Sequence, residues 1–404
     1  MNEEYIKTSI GLLPKDWSVL KAGEIFSNHT NKNHKGNLEV LSATQDRGII
    51  PRSQLDIDIK YDMDSLKNYK KVEPGDFVIS LRSFQGGIEY SKFEGLVSPA
   101  YTVLKNEIEI DGNFYKYLFK KEDFITRLNS VIYGIRDGKQ IGYNDFKDLK
   151  VQYPPLEEQR KISSILSTWD KAIELKEKLI EQKKQQKKGL MQKLLTGEVR
   201  LPGFKGKWKE VRIKDLGTLK GGSAFPEKYQ NVISGKYPFF KVSDMNNEEN
   251  EKYMLNANNY INEEIRSEIK ATIIPKNSII FAKVGAALLL ERKRILKYDS
   301  CIDNNMMALI VKENIDFNYV YYLLLNMKLS RFSNVGALPS LNSNDVYSLK
   351  CRLPMDYDEQ KAVAELLSLF DKEIDLLQNE LIQIKQQKKG LMQLLLTGKV
   401  RVKV

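Results

Sequence analysis

The chain has 404 residues, a hydrophobic share of 42%, 20 Tyr and 16 Phe, which excludes a disordered chain and supplies enough apolar material for two or more domains. Lys and Arg outnumber Asp and Glu by 64 to 53, so the formal net charge is +11 and the pI is about 9.2. That excess favours a polyanionic partner, either nucleic acid or an acidic membrane, although a Lys-rich proteome would give the same balance.

The two cysteines and two histidines are split between the halves of the chain and match no zinc-site spacing, and the cysteines do not indicate a disulfide. Cys301 and Cys351 lie in apolar stretches, where we expect buried free thiols, and His29 and His34 lie in a polar segment. Residues 1–20 show no signal-peptide pattern, and the longest apolar run is too short to span a bilayer. We therefore expect a cytoplasmic protein with no membrane partner.

In chain order, a variable block of mixed α and β character comes first, over residues 1–152. The runs DFVISLRS (76–83) and EYSKFEGLVSPAYTVL (89–104) predict strands, because they are rich in β-branched and aromatic residues and are bounded by turn formers. Residues 113–132 predict one helix or a helix pair. The block is long enough for a self-contained domain.

Residues 153–198 form the first helix block. Pro154 and Pro155 stop the preceding strand, and acidic residues follow where the first helical turn begins. Apolar residues then recur with a period of about 3.5 residues, which is typical of a coiled-coil seam. About 40 residues at about 1.5 Å each predict a helix about 60 Å long.

The second half of the chain repeats this plan at an offset of 201 residues. The segments KQQKKGLMQKLLTGEVRL (184–201) and KQQKKGLMQLLLTGKVRV (385–402) share 15 of 18 letters, and EEQRKISSILSTWDKAIEL (157–175) matches DEQKAVAELLSLFDKEIDL (358–376). A second variable block therefore covers residues 199–352, with strand runs SIIFAKVG (278–285) and NMMALIVK (305–312) and helical residues 317–334. A second helix block covers residues 353–404.

A long helix with one apolar stripe is unstable alone in water, so each helix needs a partner. The simplest partner is the other copy, lying antiparallel and relating the halves by a pseudo-twofold axis; packing of each helix on its own domain is the alternative. Gly189 and Gly390, at matched positions, predict a close approach or a local break. The residues expected to pack between the helices are Leu166, Trp169, Ile173, Ile180, Leu190, Leu194, Leu367, Phe370, Ile374, Leu377, Leu381, Ile384, Leu391 and Leu395.

The sequence contains no motif for catalysis or cofactor binding. It has no phosphate-binding loop, no acidic cluster with metal spacing and no Gly-rich dinucleotide turn, since Gly86–Gly87 and Gly221–Gly222 read as simple turn pairs. Two histidines in a polar segment offer no evident general base. We therefore predict a binding protein that is not an enzyme and holds no cofactor or metal.

Several polar segments at strand ends carry donors and acceptors suited to reading bases. An exposed polar loop is the alternative at each single position, but the framework repeats while the loop letters differ between the halves. Different loops on one scaffold predict two unrelated half-sites on double-stranded DNA, at a spacing fixed by the helices. The candidate DNA-binding residues are Gln45, Arg47, Arg82, Ser83, Gln85, Arg136, Lys139 and Gln140 in the first half and Lys241, Ser243, Lys283, Asn304, Asn305, Ser340 and Asn342 in the second.

The sequence resembles the specificity subunit of type I restriction–modification systems. The match is carried by PPLEEQRKI (154–162) leading into the first long helix and by KKGLMQKLLTGEVRL (187–201) closing it, with a second copy of both. GDFVISLRS (75–83) and GIRDGKQI (134–141) also match. In the second half Pro155 has no counterpart, and VGALPSLNS (335–343) lacks the Arg and Lys of GIRDGKQ.

The resemblance implies an α+β fold with two mixed α/β target recognition domains, residues 1–152 and 199–352. Two long antiparallel coiled-coil helices, residues 153–198 and 353–404, would separate them and set the gap in a bipartite, asymmetric DNA site. It also implies two methyltransferase subunits and, for cleavage, restriction subunits as partners. S-adenosylmethionine and ATP would bind those partners and not this chain.

The residues alone leave three alternatives open. A free-standing bipartite-site repressor or architectural protein would use the same loops, but its helices need only one apolar seam. An assembly scaffold needs further contact surface, which Leu175, Leu179 and Met191 favour because they lie off the seam. A nuclease or methyltransferase acting alone lacks its motifs here, and a coiled-coil structural protein would bind specific and random duplexes alike.

Overall fold

The computed structural model describes residues 4–44, 47–55, 63–80, 87–130, 141–333 and 339–403. The chain forms two compact units: unit 1 consists of Met1–Glu177 and Asn379–Val404, and unit 2 of Lys178–Gln378. Both long helices cross this division, so each unit holds one variable block and part of each helix. The four-segment domain division expected from the sequence stays a prediction.

Unit 1 consists of short strands, small helices and part of the long helices. Its strands are β1 (Tyr5–Thr8), β2 (Gly11–Pro14), β3 (Ser18–Lys21), β4 (Phe26–His29), β5 (Leu41–Thr44), β6 (Gly48–Pro51), β7 (Lys70–Val72), β8 (Phe77–Ile79), β9 (Ile88–Tyr90), β10 (Gly95–Val97), β11 (Thr102–Asn106) and β12 (Lys150–Tyr153). Its helices are α1 (Ala22–Ile25), α2 (Gly112–Leu118), α3 (Glu122–Ser130), α4 (Tyr143–Lys147) and the first part of α5 (Leu156–Thr196), with 3-10 turns at Arg52–Gln54 and Met63–Asn68.

An aromatic core holds unit 1 together beneath a sheet of order β4-β11-β8-β9. In its antiparallel register, Val103 of β11 faces His29 on one side and Val78 on the other. The ring of Phe26 lies 5.4 Å from that of Phe77 and 5.3 Å from that of Tyr115, and all three are buried. Edge-on pairs of this kind add about 0.5–1.5 kcal/mol each beyond burial.

Unit 2 repeats this plan with a larger sheet. Its strands are β13 (Trp208–Arg212), β14 (Gly217–Gly221), β15 (Tyr237–Phe240), β16 (Tyr253–Met254), β17 (Tyr260–Ile261), β18 (Ile279–Ala282), β19 (Lys293–Leu296), β20 (Cys301–Ile302), β21 (Met306–Val311) and β22 (Lys350–Pro354). Its helices are α6 (Ile213–Leu216), α7 (Glu263–Glu268), α8 (Gly285–Leu289), α9 (Phe317–Asn326), α10 (Ser343–Ser348) and the first part of α11 (Tyr357–Leu395), with 3-10 turns at Glu227–Tyr229, Val242–Asn246 and Leu329–Phe332.

The main sheet of unit 2 has the order β14-β21-β18-β19-β16. Its first three strands, β14, β21 and β18, correspond to β4, β11 and β8, the first three strands of the unit 1 sheet. Ile279 of β18 pairs with Leu309 of β21 and Ile295 of β19, and all three are buried. A second sheet, β17-β15-β20, lies in the same unit. The repeat visible in the helix letters therefore extends to the order of the strands.

The strand runs and helix blocks expected from the sequence are confirmed. The runs in the variable blocks contain β8, β9 to β11, β18 and β21, and the helix blocks contain α5 and α11, which are 41 and 39 residues long. The segment 113–132 contains two helices, α2 and α3. In the segment 317–334, α9 is followed by a 3-10 turn.

Within each unit the two long helices run antiparallel, because residue numbers rise on one helix as they fall on the other. Lysines of each helix form ion pairs with acidic residues of the opposite helix. The ion pairs are Lys176–Glu380 (2.8 Å), Lys385–Glu177 (2.6 Å) and Lys388–Asp170 (2.5 Å) in unit 1, and Lys183–Glu373 (2.6 Å) and Lys187–Asp371 in unit 2.

The residues expected to pack between the helices are all buried or half-buried. In unit 1, Leu166 belongs to the same core cluster as Leu395, with Leu391 packed against it. In unit 2, Leu367 and Leu194 share a core cluster. Each helix pair is thus continuous with the core of its unit, while the coiled-coil geometry itself stays a prediction.

Gly189 and Gly390 lie inside helices that continue through them, so the predicted local break is wrong. A Cβ added at either glycine would meet no described atom within 4 Å beyond the backbone of its own helix. The predicted close approach is therefore also wrong for the part of the chain that the structure describes.

A repeated Glu-Gln pair at the start of each long helix ties that helix to its unit. Gln159 Oε1 accepts a hydrogen bond from the backbone N–H of Asp111 at 3.0 Å, and Gln360 Oε1 accepts one from Asp316 at 2.9 Å. Both aspartates are N-caps, of α2 and α9 respectively. The glutamine thereby fixes the start of a core helix relative to the long helix.

Both cysteines are buried free thiols, as the sequence predicts. Burial raises the pKa of the Cys301 thiol to about 11 and that of Cys351 to about 12, so both stay protonated at neutral pH. Over the described ranges, no helix combines the length and apolarity needed to cross a bilayer.

Candidate nucleic-acid interface

Two polar segments of unit 2 meet at one buried carboxylate, that of Asp303, which directly follows β20. Asp303 is 7% exposed. Its Oδ1 accepts a hydrogen bond from the backbone N–H of Asn305 at 2.9 Å, and its Oδ2 accepts one from the N–H of Val242 at 3.4 Å. The carboxylate therefore links the loop after β15 to the loop after β20.

The parallel pairing of β15 and β20 explains this meeting. Phe239 pairs with Cys301 and Phe240 with Ile302, so the two strands end at the same edge of their sheet. The residues that follow each strand leave that edge side by side. Lys241 and Ser243 thus lie beside Asn304 and Asn305.

Lys283 and Ser340 join this group through the backbone. The N–H of Lys283 donates to the carbonyl of Asn305 at 2.9 Å, and the N–H of Leu341 donates to the carbonyl of Lys283 at 2.8 Å. Val284 forms an isolated antiparallel bridge with Ser340. Six of the seven candidates in the second half therefore lie in segments that are in direct contact: Lys241, Ser243, Lys283, Asn304, Asn305 and Ser340.

The group presents hydrogen-bonding side chains to solvent. Ser243, Asn304 and Asn305 are exposed, and Lys283 is half-buried at the end of β18. An Asn amide donates and accepts at once, as the N6 and N7 edge of adenine requires, while Lys donates to guanine. Lys241 is also half-buried, and its Nζ donates to Gln230 Oε1 at 3.0 Å.

The surroundings of the Asp303 carboxyl shift its pKa in opposite directions. Burial raises its pKa above the ordinary value, and the hydrogen bonds from Asn305 and Val242 oppose that rise, as do the charges of Lys241 and Lys283. The two hydrogen bonds to this carboxylate connect the loop after β15 with the loop after β20.

Two residues that organise this group, Asp303 and Gly222, were not predicted from the sequence. A Cβ on Gly222 would lie 1.9 Å from the carbonyl oxygen of Asp303, and Ser223 forms a β-bridge with Asp303. The simple turn predicted at Gly221–Gly222 is therefore wrong: Gly222 is a point of close backbone approach. The adjacent glycines Gly221 and Gly222 were the available signal.

Asn342, the seventh candidate, is the N-cap of α10. Its Oδ1 accepts from the N–H of Asp345 at 2.9 Å, and its Nδ2 donates to the Asp345 carboxylate at 2.5 Å. Both polar ends of the amide are thus engaged within the fold. A base contact by Asn342 would compete with these two hydrogen bonds.

In the first half, the structure describes one candidate, Arg47. Arg47 is exposed directly before β6, and its Nη2 lies 3.5 Å from the carbonyl oxygen of Gln54. The other candidates of this half lie outside the described residues and stay predictions: Gln45, Arg82, Ser83, Gln85, Arg136, Lys139 and Gln140.

Both long helices expose apolar side chains. Leu175 in unit 1 is 53% exposed, and Leu376, its counterpart in the repeat, is 64% exposed in unit 2. Met191, predicted off the seam, packs against the core of unit 2 and does not add to this exposed set. Other exposed aliphatic residues of the helices include Ile382 and Leu394 in unit 1 and Leu179 and Leu369 in unit 2.

Comparison with known proteins agrees with these features. The model of the type I restriction modification DNA specificity domain matches residues 14–185 and 205–386, one copy in each half. The chain is 26% identical to the type I restriction enzyme MjaVIII specificity subunit of Methanocaldococcus jannaschii, over 99% of this chain and 97% of that protein.

Solved structures show the same fold. One, a chain from work on complex assembly and conformational transition of the type I R-M system, has a TM-score of 0.64 at 14% identity, over 96% of this chain and 99% of that one. The type I restriction-modification system S subunit from M. genitalium has a TM-score of 0.55 at 15% identity, over 94% and 96%. The two domain matches cover most of the sequence, and this chain belongs to the type I restriction–modification DNA specificity family.

Proposed function

We propose that this chain is the DNA-reading subunit of a type I restriction–modification complex and that it reads a bipartite, asymmetric site. One observation supports this most directly: the repeat keeps its helix letters and helix contacts, while the candidate loop residues differ between the halves. Identical loops would read a palindrome. Different loops on matched scaffolds read two unrelated half-sites.

In unit 2, Asn304, Asn305 and Lys283 are the proposed base-reading side chains, because they are accessible and lie on segments linked to Asp303. Lys241, Ser243 and Ser340 flank them. Asn342 is a further candidate, which would have to give up its hydrogen bonds with Asp345 to contact a base. In unit 1 the proposed base-reading residues are Arg47 and the seven candidates outside the described residues. The gap between half-sites follows, in this proposal, from the lengths of α5 and α11.

The proposed partners dock on the long helices. Leu175 and Leu376 occupy matched positions and expose apolar surface in each unit, so we propose two equivalent docking surfaces for two methyltransferase subunits. Restriction subunits complete the complex. Methyl transfer and ATP-driven cleavage belong to those partners, this chain being non-catalytic and free of cofactor, and the complex works in the cytoplasm. The comparisons give no support to the free-standing repressor.

Mapping methylated adenines genome-wide, with the chain co-expressed with a type I methyltransferase subunit, tests this proposal. We expect a two-part motif with a constant gap. Asn305→Ala should change one half of that motif only. Asn344→Ala, a matched change of an exposed residue on α10 of the same unit, should leave both halves intact. Unpatterned methylation would contradict the proposal.

A further inference from the structure

Unit 1 contains a cleft with an excess of positive charge. Its volume is about 290 Å³, and its walls include two carboxylates, those of Glu89 and Asp170. Five cations against two carboxylates leave three positive charges unbalanced. The cations that line the cleft are Arg47, Lys92, Lys116, Lys120 and Lys388.

One aromatic ring fixes two of these cations. The Nζ atoms of Lys116 and Lys388 each lie 5.1 Å from the ring centroid of Tyr117. The Tyr117 hydroxyl donates to Asp170 Oδ2 at 2.5 Å, and Lys388 pairs with Asp170 Oδ1 at 2.5 Å. The lysines are therefore positioned by the fold, at little further entropic cost to a ligand.

Positive charges repel one another inside this cleft. Burial lowers the pKa of Lys116, Asp170 opposes that change, and the charges of Lys92 and Lys388 lower the pKa further. An entering anion would relieve this repulsion. A concave wall of low dielectric also strengthens attraction for an anion.

The cleft opens beside a candidate DNA-reading segment. Arg47 directly precedes β6 and is exposed, and Lys92 is exposed just after β9, next to the 36% exposed Phe93. Lys92 has no ion-pair partner among the residues that the structure describes. The cleft therefore has unpaired positive charge at its rim as well as fixed lysines within.

The corresponding place in unit 2 has a different set of contacts. There Tyr322 and Asp371 take the positions of Tyr117 and Asp170, and Lys252 occupies the space beside them. Lys252 Nζ lies 2.9 Å from the Tyr322 hydroxyl and 3.6 Å from Asp371 Oδ2. Tyr321 stands where unit 1 has Lys116. The lysines around this tyrosine therefore differ in position between the two units.

We propose that this cleft binds a phosphate group of the duplex backbone and anchors unit 1 on DNA independently of base sequence. The proposal rests on the proposed function, that the chain binds DNA. Free inorganic phosphate has the same chemistry, so the experiment separates the two sources.

A random-sequence duplex is the appropriate probe, because backbone contacts carry no sequence information. Binding of the full chain is followed by fluorescence anisotropy between 50 and 200 mM KCl. Each phosphate contact contributes about 0.9 to the slope of log affinity against log salt. Lys92→Gln should lower that slope by about 0.9. Raising the salt concentration fourfold would then weaken duplex binding by the variant about 3.5-fold less than it weakens binding by the unsubstituted chain. Adding Lys116→Gln should weaken duplex binding further without lowering the slope again, because both lysines hold the same phosphate group.

Lys7→Gln is the matched control, because Lys7 is an exposed lysine of unit 1 outside the cleft. The salt slope of this variant should equal that of the unsubstituted chain. A Lys92→Gln slope equal to that of the control would overturn the proposal while leaving DNA binding in place. So would calorimetric binding of inorganic phosphate that Lys116→Gln abolishes while duplex slopes stay unchanged. Absence of any duplex binding by the unvaried chain would overturn the proposed function as well.

Discussion

Arg401 pairs with Glu158, 243 residues earlier in the chain, through Nε to Oε1 at 2.8 Å and Nη2 to Oε2 at 2.9 Å. Trp17 Nε1 donates to the same carboxylate at 2.7 Å. In unit 2, Arg200 and Glu359 repeat the pair at 2.8 and 2.6 Å. Each copy of the repeated Thr-Gly-x-Val-Arg ending thus closes on the glutamate that starts the other long helix.

Arg401→Gln should destabilise unit 1 by about 2 kcal/mol, because it leaves the Glu158 carboxylate, 1% exposed, without its cation. This loss of stability is smaller than the roughly 3–5 kcal/mol typical of fully buried ion pairs, because the Arg401 side chain is 38% exposed. Hydrogen exchange read by mass spectrometry should show lost protection in unit 1. Arg200→Gln is the matched variant and should act on unit 2. Loss in the same unit from both variants would contradict the crossed pairing.

The Asp170 carboxylate should make unit 1 sensitive to acid. Burial raises its pKa, but the hydrogen bonds from Lys388 and Tyr117 outweigh burial and hold the pKa below the ordinary value. A carboxylate with a depressed folded pKa stabilises the fold above its unfolded pKa, about 3.9, and that contribution is lost as the pH falls below this value through the folded pKa.

Urea midpoints measured from pH 7 to pH 3 should therefore fall more steeply below about pH 4 for the unvaried chain than for Asp170→Asn. The variant should be less stable at neutral pH, because the ion pair with Lys388 is gone. Curves that stay parallel through the acid range would rule out this contribution.

Gly189→Ala and Gly390→Ala should each stabilise the chain by about 0.5–1 kcal/mol, because both positions are helical and an added methyl meets open space. A higher thermal midpoint for each variant is the expected result. Gly222→Ala is the opposite case, since its Cβ would meet the Asp303 carbonyl, and it should cost about 1–3 kcal/mol. A lower midpoint for either helical variant would show an unrecognised constraint there.

Leu376→Lys should weaken one methyltransferase docking surface by about tenfold or more, since burying a leucine contributes about 1.5–3 kcal/mol. Leu175→Lys should do the same at the other surface, and the double variant should lose both copies. Analytical ultracentrifugation of the mixed subunits gives the stoichiometry directly. Gln182→Lys, an exposed polar position on α5, is the control, and equal loss from it would mean that added charge alone disturbs assembly.

Only part of the candidate site could be predicted from the local sequence. Lys283, Asn304 and Asn305 could be predicted because each lies near or beside the end of a strand run with clear turn chemistry. Asp303 could not, because its importance arises from the parallel pairing of β15 and β20, which brings Val242 to it from 61 residues away. The ion pairs between the long helices could not be predicted either, because each lysine has its acidic partner on the other helix.

The sequence by itself determined the two long helices, the strand runs of each half and their repetition, because periodicity and turn chemistry act between neighbours in the chain. Only the tertiary structure decided which ending closes which unit. Residues 187–201 and 388–402 are nearly identical, so no local signal distinguishes the glutamate each must meet. The antiparallel course of α5 and α11 determines which arginine meets which glutamate, because within each unit it brings the end of one helix to the start of the other.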